Sequence, residues 1–307
     1  LGKLRFHLHA GAGQSVAELY ELLLTRSAGI VLSRGPDDPE PVVLPRGRLV
    51  AAGLDPEDQG LPFDPRAFAG YQLLTEFFAL PQKFLFLDLQ GLTPAVLARF
   101  DHAMEVGVML TSASRELERM VSPDSVRLGC TPVVNLFPAR FDPMRIDGTR
   151  TEICLTPDAR RPRAVEVYAV ESVQLSEPGE NPVEVRPFYR LASQEVLRQD
   201  RAVDRRRPLR WKASRRPHRE PRPDGLVDAA TDTWLSLVDE NAGPASIANA
   251  TIHSSGLCTN RNLPPRLPFS VGRPAMVLRD GQGPIGALEC LVRPTATLRR
   301  LPGQGAA

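Results

Sequence analysis

His7 and His9 stand two residues apart in Leu4-Arg5-Phe6-His7-Leu8-His9, a run that alternates as a half-buried strand does. On a strand, positions i and i+2 share a face, so the two imidazoles have the geometry of a two-histidine metal clamp. Nothing nearby in sequence completes a ligand set, and a pair of exposed strand histidines is the expected reading. His102, His218 and His253 are isolated. Gly11-Ala12-Gly13 precedes a helical pattern like the start of a phosphate-cradling loop. It lacks the third glycine and acidic partner of a dinucleotide fingerprint and the Lys and Ser/Thr of a P-loop, so it reads as a plain turn. Ser254-Ser255-Gly256 has no second flanking glycine and no base at fixed spacing, which leaves a serine hydrolase unsupported. Asp55-Pro56-Glu57-Asp58 is bounded by Pro and Gly as a solvated loop is, not held on a rigid element as paired catalytic carboxylates are.

Four cysteines, Cys130, Cys154, Cys258 and Cys290, lie far apart in apolar surroundings without a CxxC pair. Buried reduced thiols are expected, not a disulfide framework or a zinc cluster. The stretch 196–223 is the one strong compositional break. It holds eleven basic residues (Arg198, Arg201, Arg205, Arg206, Arg207, Arg210, Lys212, Arg215, Arg216, Arg219, Arg222) against Asp200, Asp204 and Glu220. Clustered guanidinium groups around Trp211 could grip phosphates and stack on bases, which makes nucleic-acid binding the alternative function. The four prolines among them favour an exposed loop in the second half of the stretch, one that meets an acidic protein partner.

The elements that would position these residues follow from periodicity. Val16, Leu19, Tyr20, Leu23 and Leu24 have helical spacing, with Ser15 as N-cap and Glu18 three residues on. Strands at 29–32 and 42–44 flank the turn-rich Gly35-Pro36-Asp37-Asp38-Pro39 and predict a hairpin. Pro65 opens a second helix over 66–79, whose Phe68, Tyr71, Leu74, Phe77 and Phe78 form a face too apolar to leave in water, and Pro81 stops it. Lys83 then lies near that helix's C-terminus, where a cation is favoured. Strands over 84–89 and 106–110 and a helix over 114–120 complete a mixed first part.

From Val126 onward strands dominate, at 133–137, 152–155, 164–175, 183–189, 234–238, 246–252 and 275–278. The partners of the first strand are expected upstream of Leu1. The fold class is therefore α+β, β-rich and multi-domain, built of short-strand barrel-like or sandwich-like units with a few amphipathic helices. The expected division is a mixed α+β part over 1–195, a basic loop or linker over 196–223, and a β-rich part over 224–307, incomplete at its C-terminus.

Six passages, in order along the chain, resemble one family. They are Leu4-Arg5-Phe6 with Leu19-Tyr20-Glu21-Leu22-Leu23; the run from Gly70-Tyr71-Gln72-Leu73-Leu74-Thr75-Glu76-Phe77-Phe78 through Ala79-Leu80-Pro81-Gln82-Lys83-Phe84-Leu85-Phe86; Cys130-Thr131-Pro132-Val133-Val134-Asn135-Leu136-Phe137; Glu166-Val167-Tyr168-Ala169-Val170; Pro187-Phe188-Tyr189; and Cys258-Thr259-Asn260-Arg261-Asn262-Leu263-Pro264. Together they resemble the TssF family, also called VasA or ImpG, of type VI secretion baseplate subunits. The resemblance spans residues 4–264 and implies an internal piece, about the middle half of a full-length subunit. It implies a bacterial cytoplasmic protein, docked at the inner face of the inner membrane chiefly through TssK. That protein binds TssG and assembles with TssE, TssK and other TssF copies around the VgrG hub, where the ring templates tube and sheath. It implies a structural component similar to the wedge proteins of contractile phage tails, not an enzyme, with no catalytic residue, cofactor or metal. The two cysteine-threonine passages supply small polar groups suited to fixing backbone corners.

Overall fold

The computed structural model describes residues 2–9, 13–63, 67–188, 209–218, 230–238, 247–269, 276 and 288–294. The chain divides into two units, Leu1–Val134 and Asn135–Ala307. The sequence-based boundary at 195 lies outside the described residues. Among the described residues the fold is α+β and β-rich, with the α-helices in the first unit and the second built of strands and one 3-10 turn.

In the first unit, β1 (Lys3–Leu8) pairs antiparallel with β5 (Phe86–Gln90) on one side and β7 (Val126–Leu128) on the other. The partners of the first strand are thus downstream, not upstream as expected; the ladder closes over more than 75 residues, a distance that local patterning does not reveal. β4 (Leu49–Ala51) extends this sheet beyond β5. A second sheet has β2 (Ser27–Ser33) between β3 (Val42–Pro45) and β6 (Glu105–Leu110), which confirms the expected hairpin. Helix α1 (Gly13–Thr25) presents Val16 and Leu19 to a core shared with Leu8, Ile30, Leu32, Leu87 and Leu89. It begins two residues before Ser15, which therefore sits inside the helix and not at its cap. Two short helices follow, α3 (Pro94–Leu97) and α4 (Arg115–Met120); Ser114 caps the latter by accepting from the Leu117 N–H. The remaining helix, α2 (Ala69–Ala79), starts later than its pattern suggests, and Pro65 lies outside the described residues.

The second unit holds one large sheet in the order β10-β14-β13-β12-β11-β15-β8, with β9 also on β15. Its strands are β8 (Phe137–Arg140), β9 (Met144–Asp147), β10 (Glu152–Cys154), β11 (Glu166–Ser176), β12 (Val183–Pro187), β13 (Arg210–Pro217), β14 (Thr231–Val238) and β15 (Ala248–Thr259). Among the described residues only β12 and β13 run parallel. Leu155, Val167, Val173, Leu235, Ile252 and Cys258 are buried together on its inner face. Residues 133–136, expected as strand, stay outside the ladder, and β8 begins at Phe137. The strand expected over 275–278 is described only at Met276, which bridges Leu288.

The central pair β11 and β15 carries two bulges, between Val167 and Ala169 and between Val170 and Ser172. Gly256 sits opposite them, where an added Cβ would stand 2.0 Å from the Ala169 carbonyl oxygen. Only a residue without a side chain admits that approach.

β13 corrects a sequence expectation. The second half of the arginine-rich stretch is not a loop: Arg210–Pro217 forms a strand paired with β14 over eight positions. Two of the basic side chains there, Arg215 and Arg216, are taken up by the sheet itself. Arg216 donates to both carboxylate oxygens of Glu152 at 2.7 and 2.6 Å and lies 5.2 Å over the Trp234 ring. Arg215 donates to the Tyr168 carbonyl at 2.6 Å. Proline clusters marked a loop, but Pro217 occupies the last strand position, where it interrupts nothing. Residues 196–208 and 219–223 lie outside the described residues.

Candidate interaction surface

Helix α2 is built the opposite way round from its hydrophobic pattern. Phe68, Tyr71 and Phe78 are 72, 70 and 72% exposed, and Leu74 and Phe77 are also exposed. The buried side carries Gln72 and Glu76, at 6 and 4%. Glu76 accepts from the Gly60 and Leu61 N–H groups, each at 2.9 Å, and forms a buried ion pair with Lys83. Gln72 donates to the Leu61 carbonyl at 2.7 Å. Burial alone would raise the Glu76 carboxyl, but the hydrogen bonds from Lys83 and from the Leu61 and Gly60 N–H groups outweigh it and hold the group below its ordinary range. Lys83, expected beside the helix end, instead folds back beneath the helix from a 3-10 turn over Pro81–Phe84 and lies 5.2 Å from the Phe84 ring centre.

The expectation that the aromatic face is covered is therefore overturned within the described residues. The polar groups beneath α2 need directed partners, and the loop at 60–61 and Lys83 supply them; the rings need none. Phe68 and Tyr71 stack edge to face on one another with centroids 5.7 Å apart, and Phe77 and Phe78 do so at 5.6 Å. At the exposures observed, the four rings offer about 500 Å² of surface, as large as the biggest apolar patch of a typical monomer. Between residues 67 and 87 the only charged side chains are Glu76 and Lys83, and these neutralise each other inside. The exposed face is thus uncharged.

The other sequence candidates are dispersed. His7 is buried, its ring tilted against Phe86 with centres 4.6 Å apart and Nε2 3.1 Å from the Gln82 carbonyl oxygen; His9 lies 6.3 Å away, ring centre to ring centre. No group of three or more His, Cys, Asp or Glu side chains suited to a metal gathers among the described residues. His102 and His253 are exposed and separate. Gly13 opens α1, while Gly11 and Ala12 lie outside the described residues. Ser254 and Ser255 are mid-strand on β15, and the Ser254 hydroxyl is buried without a hydrogen-bond partner among the described residues.

Asp58 was read as part of a solvated loop. It accepts instead from Arg5 at 2.6 Å and from the Gly53 N–H at 3.0 Å. Arg5 also reaches Asp88 at 2.6 Å, which Lys3 meets at 2.8 Å, so Lys3 and Arg5 on β1 both hold Asp88 on β5, and Arg5 links it to Asp58 outside the sheet. Arg5 falls in the Leu4-Arg5-Phe6 passage, yet only the ladder register identifies Asp88 as its partner.

His218 pairs with Asp232 at 2.9 Å, the arrangement that orients a base, and Asp232 also acts on Cys154. Burial first, and then the Asp232 charge, push the Cys154 thiol up to about 11, the reverse of an activated nucleophile. The Cys258-Thr259-Asn260-Arg261 corner forms as read. Asn135 Oδ1 accepts from the Asn260 N–H and side-chain amide at 3.2 and 3.1 Å, and Arg261, at φ 52°, donates to Thr259 Oγ1 from its backbone.

Comparison with known proteins gives these surfaces a context. The family described as "Type VI secretion system, TssF" matches residues 1–307. The chain belongs to the TssF family. A relative in Pseudomonas aeruginosa, type VI secretion system component TssF1, is 33% identical over 297 residues, 96% of this chain and 47% of the relative. A chain of the type VI secretion system TssK-TssF-TssG baseplate subcomplex, solved by cryo-electron microscopy, is similar with a TM-score of 0.62 and 26% identity, covering 96% of this chain and 50% of that one. The chain thus spans about half the length of the relatives it matches. The Gly70 to Phe86 passage that carries the resemblance is the one that places an exposed aromatic face over a buried ion pair. No helix among the described residues is long and apolar enough to cross a membrane.

Proposed function

We propose that the chain is a scaffold component of a type VI secretion baseplate wedge, cytoplasmic and without catalysis of its own, that binds a TssG-type partner. The reading extends to assembly with TssE, TssK and further TssF copies around a VgrG hub, so that the ring templates tube and sheath at the inner membrane. Family membership supports it, together with the TssK-TssF-TssG subcomplex in which a similar chain occurs. The observation that carries it at residue level is the uncharged aromatic face of α2. Exposed Phe and Tyr in such numbers are costly in water and are what protein interfaces enrich at their centres. An interface of ordinary size takes about 800 Å² from each side, so this one helix supplies more than half of one side.

Nucleic-acid binding through 196–223 is not favoured for the described part, because Arg215 and Arg216 are engaged with Tyr168, Glu152 and Trp234. The test is co-purification of the tagged full-length protein with TssG from the same genome, against the variant Phe68→Ser/Tyr71→Ser/Phe78→Ser. Capture by the parent and at least a tenfold loss in a variant with unchanged circular dichroism is the expected result. A parent that never captures folded TssG overturns the reading, and undiminished capture by the variant removes α2 from it.

A further inference from the structure

A helix with one aromatic and one polar side has two ways to lie against a protein. Burial of apolar surface is non-directional and would favour the aromatic side. α2 takes the other orientation, and its two buried side chains are held there by directional contacts. Glu76 gathers the Gly60 and Leu61 N–H groups, the Lys83 ammonium and, at 3.4 Å, the Gln72 amide. Gln72 grips the Leu61 carbonyl from the previous helical turn.

The far side of the cluster is fixed as well. Gly53, at φ 91°, lies so close to the Lys83 carbonyl oxygen that a Cβ would stand 2.8 Å from it, and the Gly53 N–H is held by Asp58, which Arg5 ties to β1. A buried ion pair adds little stability over apolar residues of the same volume; what it supplies is a single geometry.

We infer that the buried Gln72–Glu76–Lys83 cluster is an orientation lock: it decides which side of α2 faces inward and keeps Phe68, Tyr71 and Phe78 presented outward. The lock explains why polar residues alternate with aromatic ones in a helix whose apolar moment points away from its own core. It stands or falls independently of TssG capture, because its readout is the exposure of the rings in the unbound protein.

Hydroxyl-radical oxidation with peptide mass spectrometry measures that exposure on the intact full-length protein. In Gln72→Leu/Glu76→Leu/Lys83→Met the inward side becomes apolar and no longer demands one orientation. Oxidation of Phe68, Tyr71 and Phe78 should then fall by about threefold or more while circular dichroism is retained, as the helix populates the rolled state. A folded variant with unchanged oxidation at all three rings overturns the lock. Amide exchange on the unaltered protein gives a second reading that does not depend on the variant folding. The lock requires the Gly60 and Leu61 amides to open together with α2, whereas α2 opening while those amides stay protected overturns it.

Discussion

Replacing Glu76 by Gln tests whether the ion pair under α2 is closed to water. Lys83 is 4% exposed, and its ammonium then loses the carboxylate that pairs with it. The Gln oxygen can still accept from Gly60 and Leu61, so the change removes charge more than shape. Breaking one side of a buried pair costs about 3–5 kcal/mol. A loss of about 3–5 kcal/mol is expected from urea unfolding at pH 7 followed by far-ultraviolet circular dichroism.

The sign with pH follows from Glu76, whose carboxyl the fold holds below its ordinary value: as pH falls below about 4.5 the unfolded parent takes up a proton that the folded one resists, so the parent loses stability by up to about 1.4 kcal/mol per unit, a slope that the variant lacks. A loss below about 1 kcal/mol at pH 7, or equal slopes below about pH 4.5 in both proteins, would refute the reasoning.

Gly256→Ala drives a Cβ into the Ala169 backbone on the neighbouring strand, and should destabilise the second unit by about 2–4 kcal/mol in the same assay; a neutral result would show that the β11–β15 bulges shift freely. His7 is lowered from its ordinary value by burial, opposed by the Gln82 carbonyl and helped by His9, so below about pH 6.5 the unfolded chain takes up a proton that the folded one resists. Stability should fall between pH 7 and 5.5 by at most about 1.4 kcal/mol per unit, and His7→Leu should flatten that slope; equal slopes in both proteins count against it. Cys154 and Cys258 are both pushed up to about 11 by burial, with Asp232 adding to the effect at Cys154. At pH 8 a thiol reagent should label them about 100-fold more slowly than an ordinary thiol near 9, and peptide-like rates would mean those sites open readily.

Much of the candidate surface was legible as residues and not as a surface. The aromatic spacing from Phe68 to Phe78 and the Lys83 beyond Pro81 were visible, as was the passage that resembles TssF. Their arrangement was read inside out, because apolar periodicity reports that a helix has two faces and assumes that the apolar one is buried. Glu76 overrules that assumption through partners fifteen and sixteen residues upstream and seven downstream, which no window on the helix contains. The Arg5–Asp58–Asp88 network was missed for the same reason: its members lie 53 and 83 residues apart. Cys258 to Arg261 was recognised as a corner because its hydrogen-bonding residues are small, polar and local, although its partner Asn135 was not.

By itself, then, the sequence determined element types wherever local period and capping suffice: α1 and α4, the β2–β3 hairpin, and most strands of the second unit. It also determined the family, since collinear motifs survive without any knowledge of contacts. Only the tertiary structure decided that β1 pairs with strands downstream, that the arginines of 210–217 belong to a ladder, and that α2 turns its rings outward. Each of these rests on hydrogen bonds or ion pairs between residues far apart in the chain. Such bonds are short-ranged and directional, so they exist only once the fold has brought their partners within about 3 Å.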